Sequence, residues 1–182
     1  MVDRLHGRPR RCAAPRNTTK PRSVAGSRPF LALFWARLHQ REIQTDGTIA
    51  LRGTRCAFVY RRVRPGVLLV TITGDDEGEL GMAPLHEIDA EIARHAPLSL
   101  YVDTRAARGA ATRVSEDWTA WFTTNRKNLR SVGILATSKL VHLIVSIAKH
   151  LSRTGEMIRI YTEAAPFEAA LAREGTWPGT AR

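Results

Sequence analysis

Apolar positions along the chain fall into short runs separated by helical periods. Val132-Gly133-Ile134-Leu135-Ala136-Thr137 and Met157-Ile158-Arg159-Ile160-Tyr161-Thr162 are two strand-length runs with β-branched and aromatic content. Between them Lys139 to Leu151 predicts about three helical turns, with the Ser138 hydroxyl placed as an N-cap. Strand, helix and strand in this order predict a βαβ unit, hence parallel strands joined by a right-handed crossover. Upstream, Thr48-Ile49-Ala50-Leu51 and Cys56 to Val63 read as edge-strand material interrupted at Arg52-Gly53. Pro65-Gly66 has the order of a type II turn, and Val67 to Thr73 follows as a nearly unbroken apolar strand of the kind buried on both faces. An antiparallel hairpin therefore feeds the centre of the sheet, and Gly74 to Gly78 closes it.

Leu85, Ile88 and Ile92 give the next segment one buried helical face, with Pro84 in its first turn and His95-Ala96-Pro97 at its end. Leu98 to Val102 predicts a strand ending at Asp103-Thr104, and Arg105 to Arg113 a basic loop rich in Gly and Ala. Ser115 then caps a second helix, with Glu116 and Asp117 in its first turn and Trp118, Trp121 and Phe122 on one side. Pro166, Phe167, Ala170 and Leu171 mark a short closing helix. The order β-β-α-β-α-β-α-β-α predicts an α/β fold with a mixed, mostly parallel sheet, an N-terminal antiparallel hairpin and helices packed on it.

The helix from Lys139 to Leu151 is more apolar than packing on a sheet requires. Leu140, Leu143, Ile144, Ile147 and Leu151 make the stripe that faces the sheet. Val141, Val145 and Ala148 widen it to an arc of roughly 200°, against the ~100° that one contact needs. A wedge between neighbouring helices accounts for the extra width; so does contact with a partner or a small apolar ligand. Trp118 and Trp121, one turn apart, allow the same two readings, core or ligand wall. Trp118, Trp121, Val141, Val145 and Ala148 are the candidate contact residues on the second reading.

Charge divides the chain. Of its net +11, residues 1–47 carry +7, from ten Arg and Lys against Asp3, Glu42 and Asp46, which leaves +4 for the rest. That leader lacks periodicity outside Phe30 to Ala36, a run too short to span a membrane and poorly formed as a signal peptide. Residues 1–47 are expected to be a basic disordered tail, or a leader produced by a start site placed upstream of Ile43; a transit peptide ranks below both. The expected domain is 48–175, followed by a tail at 176–182. Nucleic acid is not expected as a partner, except through the basic tail. Cys12 and Cys56 stand far apart without a CxxC pattern, which suits a cytoplasmic, reducing setting, with Cys56 as a small core residue.

Chemistry has few places to sit. The carboxyl ends of the strands present Asp75, Asp76, Asp103, Thr104, Thr137, Ser138, Thr162 and Glu163, the rim where open α/β sheets collect ligands. Asp103, Thr104 and Ser138 form the candidate polar site. No nucleophile with a partnered base is visible, so a loop-bonding role for Asp103 ranks above catalysis. His142 and His150 lie roughly 80° apart on their helix, and neither an HExxH nor a GxGxxG motif occurs, so no metal and no cofactor is expected.

The hairpin Arg64-Pro65-Gly66-Val67-Leu68-Leu69-Val70-Thr71-Ile72-Thr73-Gly74, the strand Leu100-Tyr101-Val102-Asp103 and the segment from Ile158 to Leu171 resemble STAS domains. They are most similar to the SpoIIAA-like branch grouped with CRAL-TRIO lipid-binding proteins. The resemblance covers roughly residues 48–174. In sporulation-type anti-sigma-factor antagonists an Asp-Ser-Ser-Gly-like phosphorylation motif opens the helix after the third strand. Here the region runs from Asp103-Thr104-Arg105 to Val114-Ser115-Glu116, and the serine motif is absent. The resemblance thus implies the scaffold and a noncatalytic role, binding a protein partner or a small hydrophobic or lipid-like ligand, often as a homodimer. A hydrolase-type enzyme using Asp103 with Ser138 or Thr104 is the alternative.

Overall fold

The computed structural model describes residues 40–136 and 157–175. In chain order these form β1 (Gln40–Ile43), β2 (Ile49–Arg52), β3 (Cys56–Arg64), β4 (Val67–Asp76), α1 (Ala83–His95), β5 (Leu98–Ala110), α2 (Thr112–Asn125), a 3-10 turn at Arg126–Asn128, β6 (Leu129–Leu135), β7 (Ile158–Tyr161) and α3 (Ala164–Gly175). All seven strands lie in one sheet in sequence order. β1 to β4 pair antiparallel, and β4 to β7 pair parallel. The hairpin feeding a parallel half is therefore present, with Gly66 at φ 77° completing its turn as type II geometry demands.

Alternation along the strands sorts side chains onto two faces. Leu68, Leu100 and Val132 share one row and meet α1 through Leu85 and Ile88 and α2 through Trp118 and Phe122. One residue away, Leu69, Tyr101, Gly133 and Arg159 form a row on the opposite face. There α3 lays Phe167 and Ala170 against Val67, Leu69, Tyr101 and Leu135. Both faces of β4 are covered, which explains the unbroken apolar run from Val67 to Val70.

Three expectations change. Residues 40–47 do not belong to a disordered tail: β1 pairs with β2 from Gln40↔Arg52 to Ile43↔Ile49, and Arg41 Nε donates to Glu87 Oε1 of α1 at 2.5 Å. All four β1 side chains are exposed, so the strand is held by backbone pairing and has no apolar alternation to reveal it. Arg105 to Ala110 is strand rather than loop, because β4 itself continues through Gly74, Asp75 and Asp76 and pairs with Ala107, Gly109 and Ala110. Gly74 is required there: at φ 81° a Cβ would lie 2.0 Å from the Arg55 carbonyl oxygen. Lastly, Ser115 is not an N-cap. The helix starts at Thr112 after an extended Ala111, and the Ser115 hydroxyl donates back to the Ala111 carbonyl at 3.3 Å. Glu116 and Asp117 consequently fall in the second turn, outside the strongest reach of the helix dipole.

Candidate functional site

The expected contact residues separate. Val141, Val145, Ala148 and Ser138 lie outside the described residues. Trp118 and Trp121 are core residues, with 8% and 5% of their surface exposed. With Phe122 they make an aromatic cluster whose ring centroids lie 5.2 to 6.3 Å apart. The Trp121 indole donates to Asp89 Oδ1 at 2.7 Å, which satisfies its one polar group inside the fold. Neither tryptophan offers a surface to a partner; each is placed by the same periodicity that buries the rest of α2.

Asp103 and Thr104 lie within β5, not at its end, although neighbouring β6 stops opposite them with Asp103 paired to Leu135. Both are buried. Arg105 Nη2 donates to Asp103 Oδ2 at 2.7 Å, and the Arg105 amide donates to Oδ1 at 3.1 Å. Arg105 Nη1 also reaches Glu168 Oε1 of α3 at 3.2 Å. Thr104 Oγ1 donates to the Leu135 carbonyl at 2.6 Å. The carboxylate is thus committed to a guanidinium and the hydroxyl to a backbone carbonyl, so neither serves as base or nucleophile for the other.

A second carboxylate has comparable duty at the other end of the sheet. Glu79 accepts from the amides of Thr54, Arg55 and Cys56 at 2.9, 2.8 and 3.1 Å, and from the Thr54 hydroxyl. Burial acts to raise its pKa, but these donors outweigh it and hold the carboxyl down at about 2. Close by, burial, reinforced by Asp76 and Glu79, pushes the Cys56 thiol up to about 12, so it stays protonated and unreactive. This is turn architecture: the carboxylate holds the backbone between β2 and β3.

An opening does exist between α3 and the β5–β7 half of the sheet. It is a cleft of about 350 Å³, lined by Tyr101, Ser131, Val132, Gly133, Met157, Arg159, Tyr161, Ala170, Arg173 and Glu174. Its aromatic wall is built around Gly133. A Cβ there would come within 2.9 Å of the Tyr101 ring, so only glycine lets that ring lie across β6. Phe167 of α3 then meets Tyr101 and Tyr161 edge-on, each at 5.6 Å between centroids. The helix end is tied down by Arg64, which donates from Nη2 to Glu174 Oε2 at 2.9 Å and from Nε to the Glu174 carbonyl.

The polar equipment of the cleft is cationic. Arg159 projects from the edge strand and makes no ion pair among the described residues, while the Glu174 carboxylate is shared with Arg64. Burial raises the Tyr101 hydroxyl to about 12, with Glu174 and Tyr161 adding to the rise and Arg173 and Arg159 opposing it. The hydroxyls of Ser131 and Ser99 sit side by side on paired strands, buried and without a hydrogen-bond partner. Each such orphan costs about 1–3 kcal/mol relative to a satisfied group. None of these cleft residues stood out in the pattern of the sequence except by two faint signals: a glycine inside an apolar strand, and an arginine between two isoleucines in the last one.

Among the described residues no group of three or more His, Cys, Asp and Glu could hold a metal ion, and no helix is long and apolar enough to cross a membrane. No protein-family model matches the sequence, and no curated protein matches it. Two solved structures are similar in fold. One is an anti-sigma factor antagonist from Mycobacterium paratuberculosis, 16% identical, with a TM-score of 0.46. The other is an uncharacterized protein with a SpoIIAA-like fold from Shewanella loihica PV-4, 16% identical, with a TM-score of 0.47. Each comparison covers 64% of this chain and 94% of the other. At that distance the likeness is one of chain path alone.

Proposed function

We propose that the chain is a noncatalytic binding module that takes a small ligand in the cleft between α3 and β5–β7, and that regulates a protein partner or its own pairing through that occupancy. The cleft is the observation that carries this reading: it combines an aromatic wall with cationic side chains and has no nucleophile beside a free base. The alternative, hydrolysis at Asp103, loses ground because Arg105 occupies that carboxylate. The reading agrees with the role that the STAS resemblance implies, with the contact surface moved from the Trp118/Trp121 helix to the α3 side of the sheet.

Native mass spectrometry of the full chain, purified without detergent, tests it. An added small-molecule mass or a dimer is the expected result. An esterase and phosphatase screen supplies the contrary result: turnover by the wild type that disappears in a folded Asp103→Asn variant makes the protein an enzyme and overturns the module.

A further inference from the structure

Resting on that reading, we infer that the ligand of the cleft is a small organic anion, a carboxylate or phosphate carried on a compact apolar body. Three observations converge on this chemistry. Arg159 lines a cleft whose carboxylate, Glu174, is already engaged by Arg64, so the guanidinium of Arg159 gives the site positive charge. Arg159 has no ion-pair partner among the described residues, and a guanidinium offers a planar fork of donors matched to carboxylate or phosphate oxygens. Ser131 belongs to the lining, and its hydroxyl is buried without a hydrogen-bond partner, so it is a donor that a ligand could satisfy.

The rest of the lining sets the body of the ligand. Tyr101, Tyr161 and Met157 supply apolar surface, and a volume of about 350 Å³ is at the small end of ligand sites, enough for one ring or a short chain and too little for a dinucleotide. The anionic group therefore lies toward Arg159 and Arg173, and the apolar part lies against the tyrosines. Binding weakens as ionic strength rises, because Arg159 is exposed.

Calorimetry on the full chain with four probes tests the inference: phenylphosphate, benzoate, neutral benzamide and inorganic phosphate. Phenylphosphate and benzoate are expected to bind, with benzamide and inorganic phosphate each weaker by about tenfold or more. Arg159→Gln should weaken both organic anions by about tenfold and Ser131→Ala by a smaller factor, whereas substitution of the exposed Arg52 at the end of β2, Arg52→Gln, should change nothing. Benzamide binding as tightly as benzoate, or an unchanged affinity in Arg159→Gln, overturns the anion while leaving a binding module in place. Inorganic phosphate equal to phenylphosphate overturns the apolar body. Failure of all four probes overturns the ligand class, and turnover lost in Asp103→Asn separately overturns the module.

Discussion

Gly133 shows how much one side chain, or its lack, decides. Placing a methyl group 2.9 Å from the Tyr101 ring forces the ring off β6, so Gly133→Ala should cost about 1–3 kcal/mol by denaturant unfolding. Glu79 makes a different contribution, governed by protons. Its folded pKa of about 2 lies below the ordinary 4.5, so the stability it supplies is complete above pH 4.5 and is lost as pH falls from there toward 2. Acid unfolding of Glu79→Gln should therefore have a shallower slope than wild type across that window. Parallel curves would show that the Thr54, Arg55 and Cys56 donors do not depend on the charge. Asp76 acts in the opposite direction: burial raises its pKa and the Glu79 charge adds to the rise, so the substitution also relaxes Asp76.

At the scale of elements, α3 carries the account, because it forms one wall of the cleft. Its anchor is Phe167, 1% exposed and edge-on to two tyrosines, with Arg64 gripping its last turn and Arg105 its second. Phe167→Ala should cost about 3–5 kcal/mol, read by thermal or denaturant unfolding. A loss well under that range would mean that α3 is not seated as described. The buried side of α3 was legible from Phe167, Ala170 and Leu171, just as the buried strand was from Val67 to Val70. The unread parts have a common cause. β1 and the second half of β5 are built from Gln, Arg, Glu, Ala and Gly with one exposed Ile, and they are strands because a neighbour's backbone is there to pair with. Propensity and alternation register side chains, whereas these segments are specified by pairing. Ser115 failed as a cap for a related reason: the chain enters α2 from an extended β5, three residues earlier than the first capping hydroxyl.

On the scale of the whole molecule, the two faces of the sheet are covered by different helices. One face carries α1, α2 and the buried tryptophans. The other is covered by α3 beside the parallel half, and its cleft lies next to β7, the last strand in the sheet order. The residues lining it come from three strands and a helix far apart in sequence, which no local motif could announce. Asp103 and Thr104, legible as a rim of strand ends, turned out to be interior to β5, since strand length depends on the neighbours. The charge of the leader gives no guide to the cleft, because Arg159 and Arg173 belong to the nearly balanced remainder of the chain. Hydrogen–deuterium exchange of the full chain with and without phenylphosphate tests the site most directly. Slower exchange confined to β5 around Tyr101, β6, β7 and α3, with α1 and α2 unchanged, is the predicted result. Protection centred on α1 or α2, or none at all, would contradict a ligand seated between α3 and β5–β7.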